Sequence, residues 1–436
     1  MKTIVGVLEL SSKYRYGLTS RGAPIFLFRP YDETLNDYVV GCSHRDTSRN
    51  QIALISVGEG NRGTLIRLFG PVGDLVAEKD ALLHHYCPYK TTKPVIEDTE
   101  EERQSLEHWV NFHIDPPGCR DIDDAMSYNP ATGQWAITIA DVAAAISEGS
   151  QTDLAAQAIG ATFYDLEGRV LRPMLPPAIS EGAGSLLPGE RRRGITLFLG
   201  QNDTDTFGLT WITVDHSFTY DSFKGSILAG VCKVQEDPHD WIETQMIRYN
   251  RAVAAVLKQV GAGVLRVQAP GPALWSSIDP GLGAEAASYE AADPTKDQSH
   301  ASLGLYCHAS SPLRRYADLI NQRVLKAIMA GKEPVFAVDP AHLNERAKAN
   351  RRFSRELTFL THVTAGRVHE IEVVWLEADR VWVPAWRRVV RLRHEEPHEL
   401  GYRGRIQIFC DPTRRNWKQR ILTAYAINPN IKELSR

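Results

Sequence analysis

The chain has 436 residues, 43% of them hydrophobic and 24% charged, with a formal net charge of −3. That supplies a large core divided over about two to four domains. No apolar run approaches the roughly 20 residues that cross a bilayer, and MKTIVGVLEL meets Glu9 too early for a secretory signal. The six cysteines (Cys42, Cys87, Cys119, Cys232, Cys307 and Cys410) show no CxxC spacing, so neither a zinc site nor a disulfide framework is indicated. The Asn202 sequon has no meaning without secretion. The expectation is a soluble cytoplasmic protein in a reducing compartment.

Residues 1 to about 90 are rich in short strands: TIVGVLEL, APIFLFRP, DYVVGC, NQIALISV and GTLIRLFG. Gly, Asn and Asp turns separate them at the spacing of a small barrel. GPVGDLVAEKDALLHHY then reads as a helical connector, and the acidic run Glu97 to Glu102 as a solvated linker. Next comes HIDPPGCRDIDDAM, which crowds Asp115, Asp121, Asp123 and Asp124 into ten residues. TGQWAITIADVAAAI predicts a turn at Thr132 and Gly133, a strand alternating Trp135, Ile137 and Ile139, and Asp141 at its end. Further on, AHLNERAKANRRFSRELTFL has helical spacing at Leu343, Ala347, Asn350, Ser354 and Leu357. HEIEVVWLEADRVWVPAWRRVVRLR and GRIQIFC read as strands of a second small barrel ending near residue 425.

The aspartate cluster carries the chemistry. Carboxylates this close repel, and desolvating each costs several kcal/mol unless a cation compensates. Hard oxygen ligands without a His or Cys pair nearby suit magnesium or manganese rather than zinc. Pro116, Pro117 and Gly118 do spell a turn, and a solvated turn is the plain alternative. Strand ends, however, are where rigid scaffolds display functional groups. A calcium loop begun at Asp121 fails, because it needs Gly where Met126 stands. Spacing alone puts metal binding ahead of the turn.

Several separated segments, in order, give the chain a resemblance. HIDPPGCRDIDDAM is close to I-D-P-x-x-x-x-D-x-D-D-A of the ribonuclease II family, with every aspartate present. ITIADVAAAI, GATFYDLEGRVLRPMLPPAISEGAGSLLPGERRRGITL, FTYDSF, WIETQMIRYNRAVAAVL and HASLGLYCHASSPLRRYADLINQRVLKAI follow the family's later landmarks. Val110 to Met329, about half of the chain, thus resembles the catalytic domain of these exonucleases, which hydrolyse RNA from its 3′ end. The resemblance implies an α+β multidomain fold with a mixed α/β RNB catalytic domain flanked by small OB-type β-barrels. Its expected parts are an N-terminal barrel and connector (1–90), an acidic linker (91–108), the RNB domain (109–362) and a C-terminal barrel (363–436).

By that resemblance Asp115, Asp121, Asp123 and Asp124 hold Mg²⁺ (or Mn²⁺), with Asp123 catalytic as the most essential of the four. Arg314 is the second catalytic residue and contacts the scissile phosphate, a task for which a planar guanidinium is better shaped than lysine. Arg315 is expected to pair with Asp318, and Tyr306 and His308 to serve in packing or hydrogen bonding. Tyr164 stacks on the terminal nucleotide, while Tyr220 and Glu243 contact the nucleotide or its 2′-hydroxyl. Glu243 has a plainer reading as a carboxylate at a helix start. The arginine clusters at 191–193, 314–315, 351–352, 387–393 and 414–415 agree with an RNA channel. The N-terminal barrel either contacts RNA or only packs on the body. Trp375, Trp382, Trp386 and Trp417 either stack bases or fill the second barrel, the core being preferred for Trp375 and Trp382.

The chain departs from the family pattern at Thr138 (His in relatives), at Ala309 and Ser310, and at Leu313. The stretch between FTYDSF and WIETQM is also short, and the second aromatic of the base clamp has no counterpart there. The resulting expectation is a magnesium-dependent exoribonuclease releasing nucleoside 5′-monophosphates from single-stranded RNA. It would act as a monomer without an obligatory protein partner or membrane. The alternatives are a catalytically weak or inactive RNA-binding regulator on the same scaffold, and a structural metal-binding protein.

Overall fold

The computed structural model describes residues 2–427 except 59, 97–100, 201–203, 235, 280, 281, 283, 284 and 335–338. Strands Lys2–Leu8, Ile25–Pro30, Tyr38–Gly41, Gln51–Val57 and Arg62–Pro71 close into a barrel. The first strand pairs with the second and the fourth, and the third runs parallel to the fifth. Alternation turns Ile4, Leu8, Phe26, Phe28, Val40 and Ile55 into its interior. The connector is the helix Leu75–Tyr86, begun by Asp74, whose carboxylate accepts from the Ala77 N–H at 2.9 Å.

The centre of the molecule is a seven-stranded mixed sheet. In spatial order its strands are His216–Phe218, Val110–Ile114, Asp124–Tyr128, Trp135–Ala140, Arg191–Leu199, Thr206–Thr213 and Gln104–Ser105. Both faces are covered. Ile137 and Ile139 point to the face packed by the helix Pro238–Val260 through Tyr249, Val253 and Leu257. Ala136 and Ala140 point to the other, which joins the core containing Leu319 and Ile320 of the helix Tyr316–Met329. That same core continues through Phe353, Leu357 and Leu360 of the helix Pro340–Ala365. A two-residue period in one strand thus serves two apolar layers.

Strands Val368–Glu377, Arg380–Val383, Arg388–Arg391, Arg403–Cys410 and Ile421–Ala426 form an antiparallel five-stranded sheet. The architecture is α+β, with a mixed α/β body flanked by OB-type β modules. Trp375 and Trp382 lie in the core of the second module. Base stacking by Trp386 and Trp417 is ruled out by their burial, at 0% and 2% exposure. Trp386 packs edge-on against Phe359 at 5.0 Å, and the Trp417 indole N–H donates to Glu356 at 2.9 Å.

The two β modules meet. Trp417 also sits edge-on to Tyr31 at 4.5 Å, and Asn416 donates to Glu33 at 2.6 Å. Arg420 of the last strand's approach is fully buried and ion-paired with Glu78 of the connector helix. The acidic linker needs a correction too. Residues 97–100 lie outside the described set, but Glu101 is not free in solvent. It shares Lys326 (2.8 Å) and the fully buried Arg103 with Asp141, so it is drawn into a buried charge network. All six cysteines are free thiols. Among the described residues no helix is long and apolar enough to cross a membrane.

Removing one member of a buried ion pair leaves the other charge desolvated and unpaired. Glu78→Ala should therefore cost about 3 kcal/mol, read as a lower urea midpoint. A midpoint equal to wild type would show that Arg420 finds compensation elsewhere.

Candidate active site

The first two long strands of the central sheet explain where the aspartates sit. Asp115 follows directly on Val110–Ile114, and Asp124 is the first residue of the antiparallel neighbour Asp124–Tyr128. Both therefore stand at one end of the sheet, with Asp121 and Asp123 on the loop between. That loop turns through Pro116–Cys119, with Gly118 at φ +79°. It is held from beneath by Ser185, whose hydroxyl accepts from the Ile122 N–H (2.9 Å) and donates to the Arg120 carbonyl (2.7 Å). Register is locked by the Ala140 N–H donating to the Asp123 carbonyl at 2.8 Å.

Each carboxylate has its own surroundings. Asp123 is buried and accepts from the Leu313 N–H at 2.9 Å and from Arg314 Nε at 3.2 Å. Asp121 accepts from the Tyr164 hydroxyl at 3.3 Å and the Cys119 thiol at 3.4 Å. Asp115 Oδ2 lies 2.8 Å from His113 Nδ1. Among the described residues none makes a hydrogen bond or ion pair to the Asp124 carboxylate. Burial, then repulsion from Asp115 and Asp123, holds the Asp124 proton well above the ordinary carboxylate range. Asp123 is likewise pushed up to about 7, chiefly by burial, against the opposing pull of Arg314.

Arg314 reaches this loop from far along the chain. The segment Ser311–Arg315 precedes the helix Tyr316–Met329, and the Arg314 carbonyl accepts from the Thr162 N–H at 3.0 Å. Its guanidinium also donates to Ser311 Oγ at 3.1 Å. Arg315 turns away, forked onto Asp318 at 2.9 and 2.8 Å. Tyr164 lies in a short hairpin with Val170–Arg172. Tyr220 opens the helix Tyr220–Lys224, capped by Thr219. Its hydroxyl pKa is raised by burial and then by Asp115 and Asp124, with which it lines one cavity.

One cavity of about 1050 Å³ collects these groups. Asp115, Asp121, Asp123, Asp124, Tyr164, Tyr220, Glu243 and Arg314 all line it. His239, Ile242, Met246 and Asn250 complete the wall supplied by the helix Pro238–Val260, at the i, i+3, i+4 spacing of one helical face. The rings on the cavity wall are Tyr164, Tyr220, Tyr306 and His239, with no Phe or Trp among its described lining.

Comparison with known proteins places this arrangement. The RNB domain model matches residues 103–231 and 284–331. The chain is similar to Exoribonuclease 2 of Yersinia pseudotuberculosis serotype O:3, 24% identical over 373 residues, which cover 60% of this chain and 56% of that protein. It carries an RNB domain and belongs to the ribonuclease II family. Among solved structures, the apo form of Mycoplasma genitalium RNase R superposes with a TM-score of 0.76 at 14% identity, covering 97% of this chain and 90% of that one. Yeast Ssd1, described as a pseudonuclease, superposes with a TM-score of 0.68 at 14% identity, covering 94% and 68%. The chain thus spans about half the length of its bacterial ribonuclease relative.

Within this RNB protein some details differ from expectation. The Asp237-Pro238 start signal begins the long helix early, so Asp240 occupies its first turn and Glu243 lies one turn further in. The helix dipole therefore does not account for Glu243. Thr138, standing where relatives have His, joins Thr196 (2.8 Å) and Thr210 in a buried hydroxyl ladder across three strands. Asn250 donates to the Tyr306 hydroxyl (2.9 Å) and Ser310 Oγ (3.0 Å), tying the cavity's helix wall to the Arg314 segment. The reading by motif missed Ser185, Ser311 and His113. For His113 the signal was present, since it lies two residues before Asp115 on a strand and so shares its face.

The donor set fits a hard divalent cation: all-oxygen, and with one carboxylate, Asp124, lacking a hydrogen-bond or ion-pair partner among the described residues. The four aspartates do not form a tight nest, however. Among the described residues, the one set of three His, Cys, Asp or Glu side chains with ligand atoms all within 4.8 Å is His239, Asp240 and Glu243, which are exposed.

The raised Asp123 carboxyl has a signed consequence for stability. Its folded value of about 7 exceeds the ordinary 3.8, so the folded state binds the extra proton between those values. Stability without metal then falls as pH rises through that window. In chelator, the wild-type melting temperature should drop from about pH 5 to about pH 8, and Asp123→Asn should make that slope shallower, leaving the part that Asp124 contributes. Parallel slopes in the two proteins would refute the assignment.

Proposed function

We propose that this protein is a divalent-metal-dependent exoribonuclease. It would hydrolyse single-stranded RNA in the 3′-to-5′ direction and release nucleoside 5′-monophosphates. The observation that carries this reading is the convergence of eight side chains from five separate segments on one cavity, with Arg314 held against Asp123. The names of the relatives, Exoribonuclease 2 and RNase R, support it.

In this reading Asp115, Asp121 and Asp124 would hold magnesium, with Asp123 beside them, and the ion would supply an activated water and neutralise charge on the phosphate. The chain's own groups do the rest. Arg314, half exposed on its cavity side, offers a guanidinium to two phosphate oxygens of the scissile group. Tyr164 offers a ring for the terminal base, while Tyr220 and Glu243, lining the same cavity, would read the ribose. Cavity walls of this kind position the phosphate in line with the attacking oxygen, which lowers the entropic part of the barrier.

Three substitutions test it on 5′-labelled single-stranded RNA with magnesium. Wild type should give a ladder shortening from the 3′ end, and Asp123→Asn should abolish it while RNA is still bound. Arg314→Lys should lower kcat by roughly 10²-fold, the cost of losing a preorganised phosphate donor. Tyr164→Ala should lengthen the limit product, read on a sequencing gel. Internal cuts would instead indicate an endonuclease. RNA bound but uncut by wild type would indicate a noncatalytic binder, the category in which the structural neighbour Ssd1 is described.

A further inference from the structure

Resting on the proposed metal-dependent reading of the site, we propose that His113 is a positioning residue that orients the Asp115 carboxylate and so sets the affinity of the site for its divalent cation. His113 is 5% exposed and sits in the strand Val110–Ile114, two residues before Asp115 and on the same face. Its Nδ1 is 2.8 Å from Asp115 Oδ2. A carboxylate only accepts, so this ring nitrogen is the one that carries the hydrogen. Asp115 is thereby fixed twice, because its own backbone N–H donates to the Phe218 carbonyl at 3.0 Å. Among the described residues nothing bonds Asp115 Oδ1, which is left for a ligand.

The opposite ring nitrogen gives the second observation. His113 Nε2 is buried and has no hydrogen-bond partner among the described residues. Leaving a buried polar atom unpaired costs free energy. A leucine or phenylalanine would fill the same space without that cost, so packing alone does not explain an imidazole here. The Nδ1 contact does. A ring N–H bonded to one carboxylate oxygen holds the other in a fixed direction, and outer contacts of this kind tune the ions their ligands bind. Among the described residues Asp124 has no such support, so the two carboxylates flanking the sheet end differ in how far they are preorganised.

The test reads metal binding directly, by electron paramagnetic resonance of Mn²⁺ titrated into the RNA-free full chain. His113→Leu removes the donor, His113→Asn keeps an amide N–H where Nδ1 stands, and His113→Gln places it where Nε2 stands. The Mn²⁺ Kd should rise roughly tenfold or more in H113L and H113Q and stay within about threefold of wild type in H113N. The magnesium concentration for half-maximal hydrolysis should shift in parallel, with the RNA affinity measured in chelator unchanged. If H113L fails to fold, the Asn and Gln pair carries the comparison, since both are polar amides. Wild-type Mn²⁺ affinity in folded H113L or H113Q, or no Mn²⁺ binding by wild type, would overturn the proposal. Failure of the two readings is distinguishable: His113-dependent Mn²⁺ binding without RNA hydrolysis sinks the enzyme and spares His113. Hydrolysis with His113-independent Mn²⁺ affinity does the reverse.

Discussion

Placing carboxylates side by side in a partly desolvated cavity is the constraint around which this molecule is organised. Each buried negative charge costs several kcal/mol and repels its neighbour, so none of the four aspartates is left in the same state. Asp123 is given a guanidinium and a backbone N–H, Asp121 a phenol and a thiol, Asp115 an imidazole, and Asp124 none of these. Burial and the neighbouring carboxylates raise the proton affinities of Asp123 and Asp124 all the same. A cation is the partner that such an imbalance favours, and perturbed carboxyls in a cleft mark a candidate functional site.

Holding so unfavourable an arrangement demands a rigid frame, and the contacts supply one over long sequence distances. The loop of Asp121 and Asp123 is fastened by Ser185 below, by Ala140 at the side and by the Leu313–Arg314 segment above. That segment is in turn tied to the helix wall through Asn250 and to its own helix through Arg315 and Asp318. Further out, the buried Glu78–Arg420 pair and the Tyr31–Trp417 contact lock the two β modules together. Glu101, Arg103, Asp141 and Lys326 pin the linker to the central sheet. The site is a product of the whole architecture rather than of one motif.

The same architecture occurs in proteins described as RNase R and in one described as a pseudonuclease. A shared fold does not by itself convey chemistry. The reading of this chain as an enzyme rests on its side chains: all four aspartates and the arginine are present, and they share a cavity. Its aromatic lining is narrower in kind, limited to tyrosines and one histidine among the described residues.

Much of this was legible in the order of residues. Strand alternation in the first barrel, the turn before Trp135, the long helix after Pro340 and the aspartate spacing are local signals, fixed by backbone periodicity and turn chemistry. The motifs likewise named the residues that line the cavity. What spacing could not supply was partnership across the chain. That Arg314 rests on Asp123, that Trp386 and Trp417 turn inward, and that Glu101 joins a buried charge network follow from packing between segments distant in sequence. The spacing of His113 to Asp115 put both on one strand face, but the contact between them came only with the fold. A histidine on a strand has no chemistry of its own until the fold buries one ring edge and sets the other against a carboxylate.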